Sequence, residues 1–126
     1  NKFKKNTIHR QFITEKKIEN SKIYNLLNLT ETQFKIEFKE SPILRIGWKR
    51  FIRNVLVAAG NSNNRDFILK IKKLLLNNEA LIRGTAIWSL GKLINNEEKK
   101  ELQKSKIFNS EKNKYVLFEW ELFKFL

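Results

Sequence analysis

Ser41-Pro42-Ile43-Leu44-Arg45-Ile46-Gly47-Trp48-Lys49-Arg50-Phe51-Ile52-Arg53-Asn54-Val55-Leu56-Val57-Ala58-Ala59-Gly60-Asn61 reads as one helix with both ends marked. A serine hydroxyl accepts from a free backbone N–H at a helix start, and the proline after it lacks a donor where none is needed, so Ser41-Pro42 predicts the entry. Gly60-Asn61 predicts the exit, because glycine reaches the left-handed conformation that ends many helices. On such a helix Arg45, Lys49 and Arg53 recur at every fourth position and stack along one face, with Arg50 on its flank. No acidic residue falls within the stretch. A face of this kind repels itself unless an anion lies across it, and a phosphate backbone is the chemistry that fits.

The whole composition leans the same way. The chain carries 26 Lys and Arg against 13 Asp and Glu, a formal charge of +13, which favours nucleic acid or another anionic surface as partner. Codon usage in an AT-biased genome would account for scattered Lys better than for Arg45, Arg50, Arg53 and Arg83. With 126 residues, 41% hydrophobic content, 10 Phe and 3 Trp, one core can be buried. The absence of Cys and the presence of one His, His9, exclude disulfides, thiolate nucleophiles and histidine clusters. No apolar run approaches the roughly 20 residues of a membrane span and the start has no signal-peptide pattern. A cytoplasmic setting without membrane attachment is therefore expected. The chain begins at Asn1 and contains no Met, so a piece of a longer protein is expected.

Outward from the quoted block the pattern stays helical. Residues 1–20 read as a basic arm, in which Lys2, Lys4, Lys5, Arg10, Lys16 and Lys17 could add phosphate contacts. A short helix is predicted over 21–27. Thr30 with Gln33 three residues on forms a capping box that opens another, carrying Phe34 and Phe38 on one face. Further helices are predicted over 65–76 and over 79–94, with Ile82, Ala86, Leu90 and Leu93 as the inward stripe of the second and Asn77-Asn78 as the turn between them. A short helix over 97–104 and an aromatic one over 111–125 close the chain, separated by 107–114. Arg53 and Arg83 are thirty residues apart, Gly60 and Gly91 thirty-one, and Lys114 lies thirty-one beyond Arg83. A period of that size predicts an all-α, HEAT-like α-solenoid of stacked helix pairs over 21–126, since one pair cannot cover its own apolar face. An irregular helical bundle is the alternative.

The elements Ser41-Pro42-Ile43, Arg45-Ile46-Gly47, Lys49-Arg50-Phe51 and Arg53-Asn54-Val55, followed by Leu81-Ile82-Arg83-Gly84-Thr85-Ala86-Ile87-Trp88-Ser89-Leu90-Gly91, resemble the C-terminal HEAT-like domain of the tRNA epoxyqueuosine reductases over roughly residues 22–95. Asn1-Lys2-Phe3 is similar to the residues just after the last Cys-Pro-Trp of that family's second iron–sulfur motif, which implies that residues 1–20 link to an upstream iron–sulfur domain. The resemblance implies reduction of epoxyqueuosine to queuosine at the wobble position of certain tRNAs. It also implies cobalamin in an upstream catalytic domain, electrons delivered through two [4Fe–4S] clusters, and helical repeats that help grip the tRNA. Neither a catalytic carboxylate, a cobalamin pocket nor cluster cysteines are legible in these residues, so the chain alone is expected to be inactive.

The expected site is therefore an RNA-docking face. Arg45, Lys49 and Arg53 would track phosphates, Lys49 and Arg50 would reach neighbouring groups, and Arg83 would extend the strip onto the next repeat. Arginine suits the task because its planar fork engages two phosphate oxygens at once. Arg53 with Asn54 could instead brace a neighbouring helix, and Trp48 could stack on an unpaired base or belong to the core. Trp88 and Trp120 read as packing residues, and Glu31, Glu37 and Glu40 as solvated partners of lysines. A free-standing HEAT-type protein-interaction module is the competing function; its binding would depend on the aromatic tail and little on salt.

Overall fold

The computed structural model describes residues 20–123, and every regular element among them is helical, as the sequence predicts. In chain order they are α1 (Asn20–Leu26), α2 (Glu31–Glu37), a 3-10 turn (Pro42–Ile46), α3 (Trp48–Gly60), a second 3-10 turn (Arg65–Phe67) running into α4 (Ile68–Leu74), α5 (Ala80–Leu93), α6 (Asn96–Gln103), α7 (Lys106–Ser110) and α8 (Lys114–Phe123). Of the arm expected over residues 1–20, all but Asn20 lies outside the described residues, His9 and the arm's lysines included.

The short helices are held by packing first and caps second. A seven-residue helix such as α2 cannot sustain itself in water. Its predicted capping box is present, with the Thr30 side chain accepting from the Gln33 N–H and the Gln33 side chain accepting from the Thr30 N–H. Such a cap contributes about 1 kcal/mol, whereas burial of Phe34 and Phe38 contributes about 1.5–3 kcal/mol each. Both rings sit against Phe51 of α3, with centroids 5.2–5.3 Å apart. α6 opens with a second capping box, from Asn95 and Glu98.

α5 is the centre of the molecule. It packs against α3, α8 and α4, while α1 and α2 cover α3. The predicted stripe Ile82, Ala86, Leu90 and Leu93 is buried, but so are Thr85, Ile87 and Ser89. The helix is enclosed on more sides than a surface helix would be. Ser89, fully buried, donates its hydroxyl to the Leu56 carbonyl of α3 at 2.8 Å, so the polar atom at the α3–α5 contact is satisfied.

Three expectations are corrected. The stretch 42–60 is not one helix: Ser41 caps a 3-10 turn that ends at Ile46, Gly47 takes φ 86° and ψ 154°, and the α-helix starts afresh at Trp48. That conformation suits glycine almost alone. The re-aimed chain keeps Ile43 in the core and brings the Trp48 indole N–H to the Leu29 carbonyl at 2.8 Å. Gly60 does not end α3 by turning left-handed; it is the last helical residue, and Asn61 follows at φ −87°. Its value is its size, because a Cβ there would lie 2.9 Å from the Trp88 ring and 3.0 Å from Ser89 Cα. Finally, residues 107–114 are not a plain separator: α7 occupies their first part, and α8 begins at Lys114, where the Asn113 side chain accepts from the Tyr115 and Val116 N–H groups.

Gly47→Ala isolates the first of these constraints, since no atom lies within 4 Å of the added Cβ and only the backbone conformation resists it. We expect a loss of about 1–3 kcal/mol in urea unfolding. Unchanged stability would mean that the break at residue 47 is not obligatory.

Candidate nucleic-acid interface

The break at Gly47 reshapes the basic ladder. Arg45 sits in the 3-10 turn, so it is not stacked one α-turn before Lys49. On α3, the buried side holds Phe51, Ile52, Val55, Leu56 and Ala59, which leaves Lys49, Arg50 and Arg53 on the outer side at helical spacing. Arg45, Arg50 and Arg53 are exposed, and among the described residues none is paired with a carboxylate. Arg53 makes a long contact, 3.4 Å, to the side chain of Asn54 beside it, and among the described residues it braces no other helix.

Lys49 does have a counter-charge. Glu79, at the start of α5, lies 3.1 Å from its ammonium, and both side chains are well exposed, so the pair contributes at most about 1 kcal/mol.

Arg83 is differently placed. Its guanidinium engages Glu111 through two bonds of 2.9 Å and donates to the carbonyls of Asn77 and Asn78 at 3.0 and 3.1 Å. With Arg83 only 21% and Glu111 7% exposed, this is an interior clamp that ties the α4–α5 turn and α5 to the α7–α8 turn. The hydrogen bonds from Arg83 are the main cause that lowers the Glu111 carboxyl below its ordinary range, helped by the Asn113 and Lys112 N–H groups and opposed by burial. Arg65 closes a second, more open link: it donates to the Leu93 carbonyl at 3.0 Å and to Glu98 at 2.6 Å. That bond, with one from the Asn95 backbone, brings the Glu98 carboxyl down to about 2.

The tryptophans divide as well. Trp48 is half-buried with its N–H committed to Leu29, Trp88 is half-buried with Lys92 Nζ 5.7 Å from its ring centroid, and Trp120 is buried against Phe108 and Phe123. Glu31 lies 3.7 Å from Lys35 on an exposed helical turn, and Glu37 and Glu40 are exposed. Two cations not singled out in the sequence, Lys70 and Lys73, face the same cavity as Trp48. Their only sequence signal is membership of the basic run Lys70-Ile71-Lys72-Lys73.

Against known proteins, no family model matches the chain. Its sequence is 30% identical over 93 residues to epoxyqueuosine reductase of Staphylococcus aureus (strain NCTC 8325 / PS 47), a match covering 73% of this chain and 24% of that protein. Its fold superposes with TM-score 0.73 and 25% identity on a crystal structure of selenomethionine-labelled epoxyqueuosine reductase, covering 81% of this chain and 27% of the other. The chain, helical in every regular element of its described residues, is thus related to the epoxyqueuosine reductases, and it spans about a quarter of the length of the relatives it matches. The sequence has no Cys, and no group of three or more His, Cys, Asp or Glu among the described residues could hold a metal ion. Nor, among the described residues, is any helix long and apolar enough to cross a membrane.

Glu111→Gln tests the clamp. Because the folded Glu111 carboxyl is held below its unfolded value, its contribution is present above the ordinary glutamate pKa of about 4.3 and is lost as pH falls towards and through the lowered folded value. We expect Glu111→Gln to cost about 1–3 kcal/mol near pH 7, with the difference from wild type shrinking below about pH 4.3. A difference that stays constant with pH would show that the ion pair is not its source.

Proposed function

We propose that this chain is the tRNA-docking helical portion of an epoxyqueuosine reductase-like protein, holding the RNA while chemistry proceeds elsewhere in the parent molecule. The observation that carries this is the exposed group Arg45, Arg50 and Arg53, with no carboxylate partner among the described residues, on a chain related to that family. Lys49 joins them once a phosphate displaces Glu79. Arg83 takes no part in docking in this proposal; it braces the frame behind the face.

Such a surface works through released counterions and steering rather than through a shaped catalytic pocket. The fork of each arginine spans two phosphate oxygens, which orients the strand as well as attracting it. The arrangement proposed is HEAT-type, with α3, α5 and α8 as successive inner helices; it is supported by the spacing of about thirty residues and by the packing of α5 on both of the others. Reduction of epoxyqueuosine in tRNA, with cobalamin and iron–sulfur clusters in upstream domains and a cytoplasmic setting, completes the proposal for the parent protein.

A protein-docking module is the second reading, because Phe118 and Leu122 stand exposed on α8. The two separate on salt. We expect the protein to bind tRNA with affinity that falls steeply as salt rises, and the Arg45→Ala/Arg50→Ala/Arg53→Ala variant to lose affinity at least about tenfold, with its salt slope reduced by about one unit per phosphate contact removed. Equal binding by variant and wild type across the salt series would remove this face from the interface.

A further inference from the structure

An open cavity of about 340 Å³ is lined by the α1–α2 connection, the first residue of α3, the C-terminal end of α4 and Asn77. That is near the lower end of the range that holds a small ligand. Its wall is unusual in what it leaves unused. The Trp48 indole N–H is spent on Leu29, which pins the ring as a flat apolar surface. Thr30 Oγ1 already accepts from Gln33, so its hydroxyl hydrogen remains to be donated. Asn77 Oδ1 accepts from the Glu79 N–H, which leaves its amide hydrogens.

Two lysines line the same space, though only one keeps its ammonium uncommitted. Lys70 is anchored, donating to the Tyr24 carbonyl at 3.2 Å and lying 3.6 Å from the centroid of the Tyr24 ring. Lys73, one turn on, is exposed and has no carboxylate partner among the described residues. The Lys70 pKa is lowered from its ordinary value, chiefly by burial and next by the charge of Lys73. The carboxylate on the rim, Glu31, is drawn towards Lys35. What remains is a set of donors and cations around an aromatic wall.

We propose that this cavity receives one unpaired nucleotide of the docked RNA, its base against Trp48 and its phosphate at Lys73. The inference rests on the RNA-docking reading above, and it adds a preference that an electrostatic ridge alone does not have: single-stranded or bulged RNA over a continuous duplex, because only an unstacked base can enter. Trp48, in the cavity wall, directly precedes Lys49 in the sequence.

The test compares tRNA with a fully paired RNA duplex of similar length, using the whole protein and Lys73→Gln, a surface change that leaves the fold intact. We expect Lys73→Gln to weaken tRNA binding about fivefold while changing duplex binding less than about twofold. Equal weakening on both ligands would reduce Lys73 to another phosphate contact and overturn the nucleotide site. No weakening on either would overturn it too, and the arginine variant separates the causes: if the arginines matter and Lys73 does not, only the cavity assignment falls.

Discussion

The enclosure of α5 governs the rest of the molecule. A helix buried on most of its circumference must be met by neighbours on each side, and it must let them come close. Gly84 admits the Tyr115 ring of α8, and Gly60 of α3 admits Trp88 and Ser89. Since core packing is dense, any side chain added at these contacts displaces a helix or a ring rather than filling space. The inner face of α3 is consumed in this way, and its cations are left with only one direction to point. The exposed charge of α3 is thus a consequence of how α5 is covered.

Electrostatics then sorts the basic residues into two kinds. Arg83 and Arg65 join elements distant in sequence and are neutralised by Glu111 and Glu98. Arg45, Arg50 and Arg53 are outside, without carboxylates among the described residues, on a chain whose formal charge is +13. A structural cation has its anion built in, whereas a docking cation waits for one. Only the second kind can bind phosphate without first breaking the fold, and on that distinction the functional proposal stands.

How much of this is legible in the sequence differs residue by residue. The helical class, the Thr30 capping box, the Asn77-Asn78 turn and the buried stripe of α5 all come from local pattern, because caps and periodicity act within a few residues. Gly47 does not, since a serine-capped proline opens a 3-10 turn and an α-helix with the same letters, and nothing nearby requires positive φ. Gly60 misleads for a related reason: a glycine at a helix end signals either a left-handed cap or a close neighbour, and Trp88 is 28 positions away. Arg83 reads as a surface cation in a helix's first turns because its partner Glu111 also lies 28 residues on. The cavity beside Trp48 joins three separate segments and has no linear signature. The relation to epoxyqueuosine reductases is legible because it rests on contiguous blocks.

Amide hydrogen exchange of the protein with and without tRNA at low salt tests the docking face most directly, because it reports every segment at once. Slowed exchange over residues 42–53 and 70–77, with α8 unchanged, is the expected result. Protection confined to α8, or no protection anywhere at RNA concentrations that saturate a gel shift, would contradict the assignment of this face to RNA.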